Sequence, residues 1–490
     1  MTSSARRSRS AAIKKLHEYQ STGDLADLGA AISLFRRVIN EMPAPDAGRA
    51  QALGDLAAAL QLRFADSGRA TDLETAIATT RDAITLLSEN QPGLPLHLSN
   101  LGNALRMRYE ASGRLLDLEE AISAARRAVT GTDLHHGSRA RRLSNLAFAL
   151  RLRFERTGLL RDVDEAVEVG GQALDLTPHD DPTRARLQSN LGVALRERYE
   201  HVGEPADLRT AVELAMQAVA GTPLGQPDRA GMLSNLALAL YHQYESCRQE
   251  ENLDRAITAA RAALALTPGD HPDRSMYALN LAVLLRARAA ASDNGVDLDE
   301  AIASARHAVA LLPENHPDLP ASLSVLGRAH RLRYHLLHDS ADARDAIDAR
   351  RKAVAVPTAP PVIRALAARA QGEWAMEDQD FDTGREGYAA AVGLLAEVAW
   401  HGLERSAREV HLARWRGLAE DAAACALRVS PQQAVELLEQ GRTVLWTQRL
   451  IHRTDLYHLS QKAPDLAYRL DEIRGELDHA ITPRDPEFDR

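Results

Sequence analysis

The chain has 490 residues, more than the ~250–300 at which a single hydrophobic core stops growing, so several domains or an extended repeat array are expected. Its net charge of −9, from 59 basic and 68 acidic residues, argues against bulk attraction to nucleic acid or to an anionic membrane. Aromatic residues make up only 4% against 45% hydrophobic, mostly Ala, Leu and Val, a mix that favours helices packed in thin layers.

The first fifteen residues are locally basic (Arg6, Arg7, Arg9, Lys14, Lys15) and no apolar signal segment follows them. Residues 1–20 are expected to form a basic tail with the remnant of a first helix. From 21 to 357 one period governs the sequence. The string LSNLGNALRMRYE contains Asn100, and similar strings place Asn145, Asn190, Asn235 and Asn280 at steps of 45 residues. The register reaches back to Asp55 and forward to Val325. A second string, DLEEAI, runs beside it and repeats its Ala at Ala31, Ala76, Ala121, Ala166, Ala211, Ala256, Ala301 and Ala346.

Each unit reads as two helices. In the first, Leu98, Leu101, Gly102, Leu105 and Tyr109 form one apolar stripe at helical spacing. Pro182, Pro227, Pro272 and Pro317 are expected at first helical positions. Gly68, Gly113, Gly158 and Gly203 should end the first helix in the left-handed conformation. Asp117, Asp162 and Asp297 are expected as N-caps of the second helix, with Glu120, Glu165 and Glu300 completing capping boxes. Pro178, Pro223, Pro268 and Pro313 close it. Gly102, Gly192, Ala147 and Ala237 are small enough for a neighbouring helix to come close. Sustained period-2 alternation is absent. The fold expected is all-α, a right-handed solenoid of stacked hairpins with a concave and a convex face.

The segment VPTAPPV, around Pro357, Pro360 and Pro361, breaks the pattern, and beyond it the register is expected to be lost. Residues 358–482 read as a C-terminal helical cap. All four tryptophans, Trp374, Trp400, Trp415 and Trp446, fall there. Residues 483–490 are polar and expected to be disordered.

The Leu-Gly or Leu-Ala pair, the fixed Ala and the closing Pro resemble the tetratricopeptide repeat (TPR), although the standard unit is shorter, at 34 residues. The wording SNLGNALRxRYExxGRxxDLxEAI, followed by FDTGREGYAAAVGLLAEVAW, AVELLEQGRTVLWTQRL and RTDLYHL, resembles the repeat regions and helical lead-in of actinobacterial proteins that carry a caspase-like CHAT peptidase domain. That resemblance implies a partner or continuation with a catalytic His and Cys. Neither has a matching position before Arg490, so no catalysis is expected of this chain.

In the TPR pattern the residue before the Leu-Gly pair faces the concave groove. The resemblance therefore places Asn100, Asn145, Asn190, Asn235 and Asn280 there, with Arg106, Arg151, Arg196, Arg286 and Arg331 six residues on. Asn amides can pair with an extended peptide backbone, and Arg forks with carboxylates. The two rows are expected to bind an extended, partly acidic segment of a protein partner, including a CHAT-type peptidase module, rather than nucleic acid or membrane. A structural role for the Asn row, bonding to a neighbouring helix, stays open. A second row, Arg63, Arg108, Arg153, Arg198, Arg288 and Arg333, reads as inter-helix ion pairing.

Other chemistry is thin. Cys247 and Cys425 are the only cysteines, which fits a reducing cytoplasm. His330, His335 and His338 make too poor a set for a metal. There is no GxxxxGK[ST], GxGxxG or HExxH, and no cofactor is expected. The main expectation is a non-catalytic interaction scaffold or sensor. The alternatives are the regulatory part of a CHAT-type protease and the repeat region of a signalling or transcriptional regulator.

Overall fold

A computed structural model describes residues 3–42, 47–133, 136–269, 271–292, 295–399, 412, 415–444, 461–470 and 472. They fall into two compact units, Met1–Leu266 and Thr267–Arg490. Among the described residues the regular structure is helical throughout, which makes each unit a stack of TPR-like hairpins.

The first unit holds six hairpins: α1 (Ser3–Thr22) with α2 (Leu25–Glu41), α3 (Ala47–Ser67) with α4 (Ala70–Thr85), α5 (Leu94–Ser112) with α6 (Leu115–Thr130), α7 (Arg139–Thr157) with α8 (Leu160–Asp175), α9 (Arg184–Val202) with α10 (Pro205–Ala220), and α11 (Asp228–Cys247) with α12 (Glu250–Leu266). The second unit holds α13 (Arg274–Ser292) with α14 (Val296–Ala310), α15 (Leu319–Leu337) with α16 (Ser340–Ala355), α17 (Pro361–Glu377) with α18 (Phe381–Val398), then α19 (Leu418–Ala426) and α20 (Pro431–Arg442). Trp400, Trp446, the string RTDLYHL and residues 483–490 lie outside the described residues.

The fixed Ala explains the tight pairing. All eight copies from Ala31 to Ala346 are fully buried. Opposite them, a Cβ on Gly102, Gly192 or Gly327 would lie 3.1–3.2 Å from the carbonyl oxygen of Ala121, Ala211 or Ala346. Gly or Ala at one point and Ala at the other thus set the helix separation, as the small residues suggested. Each first helix packs on its own second helix, and α3, α5, α7 and α9 also touch the first helix of the next hairpin in turn.

The hairpin bend is as expected. Gly68, Gly113, Gly158 and Gly203 have φ of 64–78°, and the Gly158 N–H donates to the Phe154 carbonyl at 2.7 Å. Arg248 and His338 hold the same register at φ 56°. A Cβ in this region is strained by ~1–2 kcal/mol. Gly158→Ala should therefore lower the urea-unfolding free energy by about that amount. Gly171→Ala, in α8 with open space around the Cβ position, should slightly raise it.

Four expectations need correction. Residues 3–22 are one helix, with Ala5 and Ala12 fully buried, rather than a tail. Pro182 and Pro317 stand one residue before the N-caps Thr183 and Asp318, and Pro227 is itself the N-cap, because the first helix starts later than the proline suggests. Asp117, Asp162 and Asp297 are not N-caps; Asp297 is the second residue of α14, whose N-cap is Gly295. For Asp117 and Asp162 the helix begins two residues earlier, at Leu115 or Leu160, so they stand in its first turn. Glu120 and Glu165 consequently close no capping box; they receive Arg81 and Arg126 from the preceding second helix.

The fourth concerns the register, which continues past Pro357. Gly372 stands at the Gly102 position, Ala391 at the fixed-Ala position, fully buried, and Arg364 at the Arg139 position. The α17–α18 hairpin is therefore a further repeat. Tyr388, Leu395 and Val398 of α18 join Trp415, Leu418, Cys425 and Leu437 beyond it in a bulkier core of the second unit.

Candidate functional site: an amide-lined trough

The second Arg row makes the clamps that the displaced Asp residues need. Arg153 Nε and Nη2 donate to the two carboxylate oxygens of Asp162 at 2.8 and 2.7 Å, and Asp162 is 1% exposed. Arg63–Asp72, Arg108–Asp117, Arg198–Asp207, Arg288–Asp297 and Arg333–Asp342 repeat the fork. These pairs join the two helices of one hairpin.

A different arginine, unnoticed in the sequence, ties most hairpins to the one before, although Leu94 and Leu319 stand at its position in α5 and α15. Arg139 Nη1 donates to the Val129 and Thr132 carbonyls at 2.9 and 2.6 Å, finishing the end of α6. Arg49, Arg184 and Arg229 do the same for α2, α8 and α10, and Arg364 for α16. These residues keep the 45-residue register, so subtraction alone could have found them.

With the helices held this way, α3, α5, α7 and α9 together line a trough of about 1290 Å³ in the first unit. Asn100, Asn145, Asn190 and Arg106 lie in its lining, as do Asn103, Gln51, Gln61 and Phe148. The Asn row serves two ends at once. Asn145 Nδ2 donates to Ser99 Oγ at 3.2 Å, and Asn235 Nδ2 to Ser189 Oγ at 2.9 Å, each reaching the preceding first helix. An amide has two donors and an acceptor oxygen, so one such bond leaves capacity facing the trough. Asn235 is not among the trough residues, and Asn280 belongs to the second unit.

The first Arg row fares differently. Arg106 lies over the Phe148 ring at 4.9 Å and pairs with Glu110. Arg151 flanks the same ring at 4.9 Å, pairs with Glu155 and bonds Glu197 on the next first helix at 2.7 Å. Arg196 pairs with Glu200. Burial pushes the Glu197 carboxyl up to about 7, against the pull of Arg151. In the second unit, Arg331 is buried and held by Asp378 at 2.5 Å and Glu377 at 2.6 Å, while Arg286 has its Nε buried without a hydrogen-bond partner among the described residues. Apart from Arg106, none of the row lines the trough.

Two arginines missed by sequence reasoning do line it. Arg141 and Arg186 are exposed, 45 residues apart, and make no hydrogen bond or ion pair with any described residue. Each precedes its Asn by four residues, one helical turn, and so shares its face. A residue six positions beyond the Asn is rotated ~120° away.

Other groups are internally satisfied. His330 Nδ1 lies 2.7 Å from Asp342 Oδ1, and Asp345 stands nearby, but Arg333 occupies both Asp342 oxygens. The Cys425 thiol is buried and pushed up by that burial. No helix among the described residues is long and apolar enough to cross a membrane.

The hairpin stacking and the trough on its first-helix side define an all-α, TPR-like repeat fold. No family model and no curated protein matches the chain. Among solved structures it is similar to the nearly identical TPR-like repeats of a putative kinesin light chain from Podosopora anserina, at 21% identity over 44% of this chain and 96% of that one, with a TM-score of 0.33. It is also similar to human IFIT1, solved as a dimer with PPP-AAAA, at 14% identity over 89% of each chain and a TM-score of 0.47. A third is the C-terminal part of a TPR repeat-containing protein from Cytophaga hutchinsonii, at 12% identity over 61% of this chain and 95% of that one, with a TM-score of 0.35.

Proposed function

We propose that the chain is a non-catalytic interaction scaffold whose trough holds an extended protein segment bearing acidic side chains. One observation carries this reading. Three Asn amides and two exposed guanidinium groups without a partner among the described residues, Arg141 and Arg186, line a single trough built from four successive first helices. An extended strand needs backbone partners at regular steps, and the amides supply them; the arginines favour carboxylates. The finer reading, that the partner is a CHAT-type peptidase module and that binding regulates it, is supported by the repeat wording alone.

The test is selection of a random peptide library on the intact immobilised chain, followed by titration of the selected peptides. Sequences rich in Asp and Glu are expected, and Arg141→Glu with Arg186→Glu should weaken them at least tenfold (~1.4 kcal/mol or more) without moving the melting temperature. Selection of no acidic sequence, or equal affinity for the double variant, would overturn the reading.

A further inference from the structure

One position in the second unit departs from the repeat. Four residues after the fixed Ala, the hairpins from α4 to α14 carry Thr80, Ala125, Gly170, Ala215, Ala260 and Ala305, all small, while the first and last copies carry the apolar Phe35 and Leu395. In α16 the same position is Arg350. It is only 5% exposed. Its long side chain fits because Gly327, opposite on α15, lacks a Cβ; one built there would lie 3.5 Å from Arg350 Nε.

The guanidinium lies over the Trp374 ring at 4.4 Å. Trp374 is itself a departure, standing where Ala104, Ala149, Ala194, Ala239 and Ala329, and Leu284 in one copy, stand in earlier copies. Arg350 Nε is buried with no hydrogen-bond partner among the described residues. Burial and the neighbouring Arg328 push the guanidinium down to about 9, against the pull of Glu373. Stacking on an aromatic ring returns less than taking an unpaired ion out of water costs. Arg328 is exposed and occupies the helix position that Asn103 and Phe148 hold in the trough of the first unit.

We propose that Arg350, framed by Gly327 and Trp374 and with Arg328 beside it, is a binding site for an oxyanion, the carboxylate or phosphate group of a ligand. The fork of the guanidinium supplies parallel donors to two oxygens, and the indole holds its plane. This site is separate from the trough, and its test does not depend on the trough's ligand.

The experiment titrates the full chain with inorganic phosphate in one arm and N-acetylglutamate in the other, following thermal unfolding and the side-chain Nε–H resonances of ¹⁵N-arginine-labelled protein. At least one probe should raise the melting temperature saturably and shift one Nε–H signal that is absent from Arg350→Met. Response to phosphate alone assigns a phosphate ligand; response to both assigns a site that also takes carboxylates. Arg350→Lys keeps the charge without the fork and should weaken the binding about tenfold; Trp374→Phe keeps the fork and should retain it. If neither probe binds saturably, or if Arg350→Met or Arg350→Lys binds as the native chain does, the proposal is wrong.

Discussion

Replacing Arg153 by Met should lower the unfolding free energy of the first unit by about 3–5 kcal/mol, among the largest effects expected of any charged residue here. The change leaves the Asp162 carboxylate, 1% exposed, without its two donors, and an orphaned buried charge costs that much. Arg153→Gln combined with Asp162→Asn should cost far less than the sum of the single changes, because the pair then leaves no charge behind. The chain supports this itself: in the α11–α12 hairpin both positions are neutral, Gln243 and Asn252. A double-mutant cycle in urea measures the coupling; a value near zero would show that the clamp is ornamental.

The same clamp sets an acid limit. Arg63 holds the Asp72 carboxyl below its ordinary 3.8. A carboxyl with a lower folded than unfolded value adds stability that is complete above the unfolded value and disappears as the pH falls through the folded one. The unfolding midpoint should therefore lose this contribution only below about pH 4, and Arg63→Met should flatten that part of the profile.

Gly387→Ala is the second large effect expected, a loss of about 3 kcal/mol or more in the second unit. A Cβ at Gly387 would lie 2.5 Å from the Gly372 nitrogen and 2.8 Å from the Ala368 oxygen, so backbone rather than a flexible side chain must move. Overpacking that shifts backbone costs ~1–3 kcal/mol and occasionally more. Gly102→Ala is the control. Its nearest clash is 3.1 Å from the Ala121 oxygen, and Ala147, Ala237 and Ala282 already occupy that register. It should cost under about 1 kcal/mol. Equal losses in thermal or urea unfolding would refute the close-approach argument for α17 and α18.

The repeat was legible because its signals are small residues at fixed positions, which only packing demands. The Ala series and the bend glycines therefore located both helices correctly. Asp117 and Asp162 misled because Asp suits an N-cap and a first turn equally, and only the helix start decides between them. The α17–α18 repeat went unseen because its Asn and DLEEAI wording is gone, although Arg364, Gly372 and Ala391 kept the spacing. At the trough, Asn100, Asn145 and Asn190 were readable from their place before the Leu-Gly or Leu-Ala pair. The accompanying cations were sought six residues on, where rotation about the helix axis turns most of them into contacts between neighbouring helices. Arg141 and Arg186, one turn back, share the Asn face.

The arginines that reach back from most hairpins give the stack a direction. Arg184 completes α8 and Arg229 completes α10, so these second helices are finished in part by the hairpin that follows them; α4 and α14, followed by Leu94 and Leu319 at that position, are not. Cutting the stack just before one of these arginines therefore exposes raw carbonyls at the new end, while cutting from the N-terminal side exposes none of them. Fraying should run backwards along the chain, and shortened versions should tolerate the loss of leading hairpins better than the loss of trailing ones.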